Sequence, residues 1–367
     1  MPNKKLVLLT PSLGPGGLQR AMSVLANYFA ETGNVEVHLI LYGISKQQFY
    51  PLNEKVPVYT PEFDFNNKKR FYYTIKTMLF LRNKIKTVKP DVVLSYGEYW
   101  NSFVMISLLG LGLPVYVSDR CQPDKSLGRL HNWLRRILYP KAAGIISQTT
   151  AAREIYTKMI RNSNIGVIGN PIQEVILQKS IVKENIVLSV GRLIPSKHHD
   201  LLIDIFLDCY QPGWKLVIAG GDVAYGNVYN QLKEKVTALN AEDKIELTGN
   251  INHVDEFYRK SKIFAFTSSS EGFPNVIGEA MAAGLPVIAF DCIAGPSDMI
   301  EDGNNGFLIP LFDQGMFIEK LSFLMNNEEV RTEIGAKAFQ SIQKFNPELI
   351  GKKYNDFLFN NNPSLLK

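Results

Sequence analysis

The chain has 367 residues, 46% of them hydrophobic, and a formal net charge of +5; that is length and apolar content enough for two domains, each with a sizeable core. Its three cysteines, Cys121, Cys209 and Cys292, lie far apart with neither metal-ligand spacing nor the pattern of a disulfide framework, which fits a reducing, cytosolic setting. The apolar run behind the N-terminus is too short for a signal peptide, and no stretch reaches the roughly 18 uncharged residues of a spanning helix, so the expectation is a chain that does not cross a membrane.

Short apolar runs alternate with helical patterns along the whole length, the signature of parallel βαβ units. In the first half "KKLVLLT", "VEVHLILYG", "DVVLSY", "PVYVSD" and "AGIISQT" read as buried strands; in the second, "NIVLSVGR", "WKLVIAGG", "KIELTGN", "KIFAFTSS" and "PVIAFD" do. Each half is therefore expected to form its own open, doubly wound α/β sheet. The boundary falls at Gly169, Asn170 and Pro171, giving domains at 1–170 and 171–346, and the end of the chain, 347–367, reads as a helix and a tail. Charge is divided unevenly. Residues 1–170 hold 22 Lys+Arg against 10 Asp+Glu, and the rest 18 against 25, so the first half is expected to meet an anionic surface or substrate, with ordinary solvated charge as the alternative. No arginine-aromatic module points to nucleic acid.

Ligands of such sheets bind beyond the carboxyl ends of the strands, which places the site between two facing sheets. After the first strand, "TPSLGPGGLQRAM" carries Gly14, Gly16 and Gly17 ahead of a helix, where free N–H groups can face a phosphate or a sugar oxygen; the spacing departs from GxGxxG, and a simple tight turn reads equally well. In "LSVGRLIPSKHHDLLI", Gly191, Arg192 and Lys197 follow a strand and precede a helix expected near His198. Two cations beside a helix N-terminus make a receptor for a diphosphate. His198 and His199 read as solvent-facing. In "SSSEGFPNVIGEAMAAGLPVIAF", Glu271 lies in the loop after a strand, Gly272 and Pro274 shape a turn, Asn275 is expected to cap the helix or contact a ligand, and Glu279 sits one turn into that helix. Carboxylates accept paired hydrogen bonds, as vicinal hydroxyls offer them, so the two glutamates suit a sugar and a ribose.

The set "GRLIPSKHHDLLI", "LVIAGGD", "LTGNI", "SSSEGFPNVIGEAMAAGLPVIAFD" and "GPSDMIEDGNNGFLI" closely resembles the retaining, glycogen-synthase-like glycosyltransferases of family four, with Glu271 and Glu279 meeting their E-x7-E pattern. The resemblance is specific in the second half and loose in the first. It implies the GT-B fold, two facing Rossmann-like domains with the C-terminal helix packed back on the first. It also implies that Arg192 and Lys197 hold a donor diphosphate, that Glu271 contacts the donor sugar, and that Glu279 accepts ribose hydroxyls. The backbone of Gly272, Phe273, Pro274, Asn275 and Val276 would approach phosphates and sugar, Gly249, Asn250 and Ile251 would border the base, and Gly16 and Gly17 would cover the donor.

By the same resemblance the donor is a nucleotide sugar, UDP-linked by family frequency and carrying a hexose or N-acetylhexosamine, with no cofactor, no metal-binding Asp-x-Asp and front-face retention. Relatives place a histidine in the first domain near the reacting carbon. This chain offers Glu98 in "LSYGEYW" and Asp119 with Arg120 in "VSDRCQPD" instead. "SDR" followed closely by proline is similar to relatives that elongate polyprenyl-diphosphate-linked oligosaccharides. Two basic segments fit such an acceptor: Phe71, Ile75, Met78 and Ile85 amid Lys68, Lys69, Arg70, Lys76 and Lys84, and Leu130, Trp133, Leu134, Ile137 and Leu138 beside Arg129, Arg135 and Arg136. Either could lie on an anionic bilayer at its cytoplasmic face, or simply pack on the sheet. A non-catalytic nucleotide-sugar-binding protein and a GT-B epimerase are the rival readings; the pyridoxal-binding lysine of a phosphorylase is not found.

Overall fold

The computed structural model describes residues 4–43, 48–173, 182–222, 226–251 and 253–360. Contacts divide the chain into two units, Met1–Pro171 with Pro347–Lys367, and Ile172–Asn346. The first runs β1 (Lys4–Thr10), α1 (Gly17–Thr32), β2 (Val35–Leu41), β3 (Val58–Tyr59), α2 (Arg70–Val88), β4 (Val92–Tyr96), α3 (Glu98–Ser107), β5 (Val115–Ser118), α4 (Arg129–Leu138), β6 (Gly144–Ser147), α5 (Thr150–Met159) and β7 (Ile165–Val167). The second runs β8 (Ile186–Val190), α6 (His199–Asp208), β9 (Lys215–Ala219), α7 (Val228–Ala238), β10 (Ile245–Gly249), α8 (Val254–Lys260), β11 (Ile263–Phe266), α9 (Asn275–Ala282), β12 (Val287–Phe290), α10 (Pro296–Met299), β13 (Gly306–Ile309), α11 (Gln314–Asn326) and α12 (Glu328–Ile342); α13 (Pro347–Phe359) returns to the first.

Both sheets are wholly parallel, ordered β3-β2-β1-β4-β5-β6-β7 and β10-β9-β8-β11-β12-β13. Strands buried on both faces need continuous apolar runs rather than alternation. Leu6, Val7, Leu8 and Leu9 of β1, and Phe264 and Ala265 of β11, are accordingly sealed from solvent. Right-handed crossovers send the chain leftwards from β1 and β8 and rightwards from β4 and β11, so each sheet has one point where neighbouring strands diverge. In the first unit this puts α1 on one face and α2, α3 and α4 side by side on the other, with α2 packed on α3 and α3 on α4. Helix α13 packs on α1, where Gly351 lies so close that a Cβ there would meet the Tyr28 ring.

All ten strands read from the sequence form. Three more, β3, β7 and β13, were not anticipated, being two to four residues long and, in "IGV" and "GFLI", broken by glycine. Residues 174–181 of the expected join and 361–367 of the expected C-terminal helix lie outside the described residues. No helix among the described residues is long and apolar enough to cross a membrane.

The loops behind the second sheet's carboxyl edge are pressed together, and glycine is what allows it. Gly220 sits at φ +153°, and a Cβ there would lie 1.8 Å from the Gly191 carbonyl oxygen. Gly213, at φ +85°, has open space around the same position. Gly213→Ala is therefore expected to cost only the left-handed backbone penalty, about 1 kcal/mol. Gly220→Ala also forces β8 and β9 loops apart and should cost about 3 kcal/mol or more, a difference that denaturant titration of the two variants measures.

Candidate functional site

The loops after β8 and β11 leave the second sheet on either side of its divergence point. The first is pinned by backbone: the Gly191 amide donates to the Ala219 carbonyl at 3.0 Å and the Leu193 amide to that of Gly221 at 2.9 Å. Arg192, held between these two bonds, extends its side chain to solvent. A single 3-10 turn, Pro195–Lys197, then runs into His198, which adopts φ 50°. A β-carbon resists that conformation. His198 is held in it by its imidazole bonding the Ser269 hydroxyl at 2.7 Å and by an edge-on contact with Phe312, itself at φ 67°. The sequence reading of His198 as solvent-facing is thereby corrected, since its ring is a lock between loops.

Serines of the β11 loop complete the lacing. Thr267 Oγ1 donates to the Lys197 carbonyl at 2.8 Å, the Ser268 hydroxyl to the Ser196 carbonyl at 3.2 Å, and the Ser269 amide to the same carbonyl at 2.9 Å. Lys197 is thus aimed across the gap, where its ammonium forms an ion pair with the Glu271 carboxylate 74 residues away. Both side chains are mostly buried, and the Lys197 ammonium also lies 5.2 Å from the centre of the Phe266 ring. Burial, with Glu271 nearby, pushes the Cys292 thiol up to about 12, so this cysteine is no thiolate nucleophile.

His199, also expected in solvent, is 4% exposed and neither ring nitrogen has a hydrogen-bond partner. Burial first, and the neighbouring Lys197 charge second, lower its pKa to about 4.

Beyond Glu271 the chain turns sharply. Phe273 packs edge-on against Phe345, and Pro274 rests on Gly295, whose φ of 111° and missing Cβ leave room for the proline ring. Helix α9 then starts at Asn275, which is its first residue rather than the expected cap, because Pro274 takes that position; the helix's N-terminal dipole lies beside the ion pair's loop. Glu279 is buried rather than open, and accepts a hydrogen bond from the Tyr258 hydroxyl at 3.0 Å. Tyr258 had no signal in the sequence, because nothing in "EFYRK" marks which tyrosine reaches α9. Next along the edge, Gly249 turns at φ 64° and the Asn250 side chain covers Gly221; Ile251 follows, half-buried.

In the first unit, Gly16 and Gly17 after β1 and Glu98 after β4 meet at the corresponding divergence point. Gly16 exchanges hydrogen bonds with the Tyr50 hydroxyl, and Leu18 approaches Gly97. Glu98 accepts from the Arg120 amide at 3.3 Å.

Three expected residues are corrected by their surroundings. Asp119 is 4% exposed and takes donors from Asn101, Tyr139, Tyr156 and Arg135, so it faces the interior as an anchor for α3, α4 and α5 rather than a reacting group. Arg135, 3% exposed, is its buried counter-charge and not a surface cation for an acceptor. Arg120 stacks on Tyr96 and donates to Asn170 and to the Tyr354 hydroxyl, which ties α13 to the sheet. Arg129 and Arg136 are exposed. The two expected apolar stripes are rotated: α2 buries Thr77, Leu81, Ile85 and Val88, leaving Phe71 and Ile75 outside, while α4 buries Leu138 and exposes Leu130, Trp133 and Ile137.

Against known proteins, the model for glycosyl transferases group 1 matches residues 173–341 and that for glycosyltransferase family 4 matches residues 15–174. The chain is 29% identical to the amylovoran biosynthesis glycosyltransferase AmsD of Erwinia amylovora, over 97% of this chain and 99% of that one. It is 26% identical to an α-1,4-N-acetyl-D-galactosaminyltransferase of Campylobacter jejuni named for an undecaprenol-linked acceptor, over 93% and 94%. Among solved structures, HepE of Anabaena in complex with UDP and glucose superposes with a TM-score of 0.78 at 18% identity, over 96% and 99%, which bears on the fold alone.

Two outcomes follow from the buried groups. Because the folded-state pKa of His199 lies below its ordinary 6.5, the unfolded chain binds more protons between about pH 6.5 and 4; stability should fall across that window by at most about 3 kcal/mol and level off below it. His199→Leu, which removes an unsatisfied polar group, should flatten that slope when unfolding is followed at several pH values. Asp119→Ala strands the Arg135 charge and is expected to lower stability by about 3–5 kcal/mol, which calorimetry would detect.

Proposed function

Given that this chain belongs to the group 1 and family 4 glycosyltransferases, with the GT-B fold, we propose that it moves a hexose or N-acetylhexosamine from a UDP-linked donor to a lipid-linked saccharide acceptor, with retention. The acceptor would be built in bacterial surface glycan assembly. The observation that carries the reading is the meeting of Lys197 and Glu271 at the divergence point of the second sheet. A cation that must answer the charge of a departing diphosphate, and a carboxylate that must grip sugar hydroxyls, are here prepositioned by rigid loops. Preorganised charge of this kind is the largest single contribution in many enzymes.

In this reading Arg192, which is exposed, and Lys197 neutralise the donor diphosphate as the glycosidic bond opens, and α9 adds its N-terminal dipole. They do so in place of a metal ion. Glu271 orients the sugar. Its pairing with Lys197 makes it a poor nucleophile, in keeping with a front-face path in which the leaving phosphate takes the acceptor proton. Glu279 accepts the ribose hydroxyls, sharing its carboxylate with Tyr258. The Gly249–Ile251 turn borders the base. Glu98 and the backbone of Gly16 and Gly17 serve the acceptor side. The names of AmsD and of the Campylobacter enzyme support the glycan and lipid-linked parts of the proposal.

Thermal-shift screening of nucleotide sugars identifies the donor, because a ligand of the native state alone raises the melting temperature. With that donor, Lys197→Ala and Glu271→Ala should each lower kcat/KM by about a hundredfold or more while the chain stays folded. Near-normal rates in both variants would sink the assignment, and donor binding without turnover would favour the non-catalytic reading. Proton NMR of the product should show the donor's anomeric configuration; an inverted product defeats the retaining mechanism.

A further inference from the structure

The outward surface of α2, α3 and α4 is unusually apolar for a solvated helical layer. Phe71 is 81% exposed, Leu130 64% and Trp133 58%, and Leu79, Trp100 and Leu109 stand open beside them. These three packed helices and the turn after α3 thus carry several large apolar side chains in the open, and exposed apolar surface of this kind marks interaction sites when it is contiguous. On α2 and α4 its charge is one-sided, and Glu98 at the start of α3 is the acid of the layer. Helix α2 holds Arg70, Lys76, Arg82, Lys84 and Lys86 and no acid, and α4 holds no acid and turns Arg129 and Arg136 outward, while Lys68 and Lys69 extend the row before α2. Two of the chain's three tryptophans, Trp100 and Trp133, are on this face; the third, Trp214, is buried in the second unit. At the end of α3 the layer also opens into a cavity of about 210 Å³ lined by Met105, Leu109, Leu113, Leu138 and the exposed Lys141.

We infer that this three-helix face docks on an anionic lipid bilayer. Amphipathic tryptophans at the level of the headgroups, leucine and phenylalanine below them and a cationic rim match such an interface in polarity and in sign. This deepens the reading of a lipid-linked acceptor by assigning the surface that meets the membrane; it rests on that reading only for its purpose, not for its evidence.

The test uses the full chain with vesicles of phosphatidylcholine alone or mixed with phosphatidylglycerol, some bearing brominated acyl chains. Wild type should sediment with the anionic vesicles at low salt, lose at least fivefold of that binding at 1 M salt, and show bromine quenching. Trp100→Phe/Trp133→Phe should abolish the quenching, since only Trp214 remains. Leu130→Ser/Trp133→Ser and Lys69→Glu/Arg70→Glu should each cut vesicle binding at least fivefold while leaving the UDP-induced thermal shift unchanged. Wild type staying in the supernatant, equal binding by the variants, or quenching that persists without Trp100 and Trp133 would each overturn the inference. A dimer in sedimentation analysis that Trp133→Ser dissociates would overturn it too, by assigning the face to a second copy. The UDP response separates these failures from a failure of the donor site.

Discussion

The second unit depends on one constraint: the loops after β8 and β11 start from neighbouring strands, leave in opposite directions, and must still present a cation and an anion to each other. The ion pair between Lys197 and Glu271 is the visible result. It is reached by costly local means. A non-glycine residue, His198, takes a left-handed conformation, and Thr267, Ser268 and Ser269 use hydroxyls and amides to bind the turn that carries Lys197. Side chains fixed by neighbours lose little further freedom when a ligand arrives, which is the advantage of a prepositioned site.

The same edge shows why its glycines are where they are. Gly191 and Gly220 are in backbone contact, Gly221 lies under Asn250, and Gly295 makes room for Pro274. Successive βα loops of a parallel sheet emerge less than 5 Å apart, the spacing of neighbouring strands. Side chains on all of them would fill the space a substrate needs. The glycines keep the loops thin, and Lys197 and Glu271 meet in the room that is left.

In the first unit the polar groups do different work. Asp119 and Arg120 are adjacent in the chain and serve separate interiors. One gathers Asn101 from α3 before it and Arg135, Tyr139 and Tyr156 from α4, the turn behind it and α5, and the other stacks on Tyr96 and grips Tyr354 of α13. Buried ionic groups are costly unless partnered; Asp119 is partnered on both oxygens, and Arg120 through its two terminal nitrogens while its Nε is left without a hydrogen bond. The basic excess of the first half is accordingly found outside, on α2 and α4, next to exposed aromatic residues.

Much of this was legible from residue order. Parallel strands buried on both faces leave uninterrupted apolar runs, so ten of the strands and the two-sheet class could be read directly, and so could the placement of Arg192, Glu271 and Glu279 beside strand ends. The strands β3 and β7 were too short to leave a pattern, and β13 opens on a glycine directly after the polar run "EDGNN". Which face of a helix meets the sheet was decided only by packing: Ile85 turned inward while Phe71 did not, and His199 was buried where its neighbours implied solvent. Likewise, nothing local distinguishes Arg135, sealed against Asp119, from Arg136 in water one position later. Periodicity records how often a residue faces one way, whereas burial and charge pairing depend on what another part of the chain brings to that face, and only the folded arrangement contains that information.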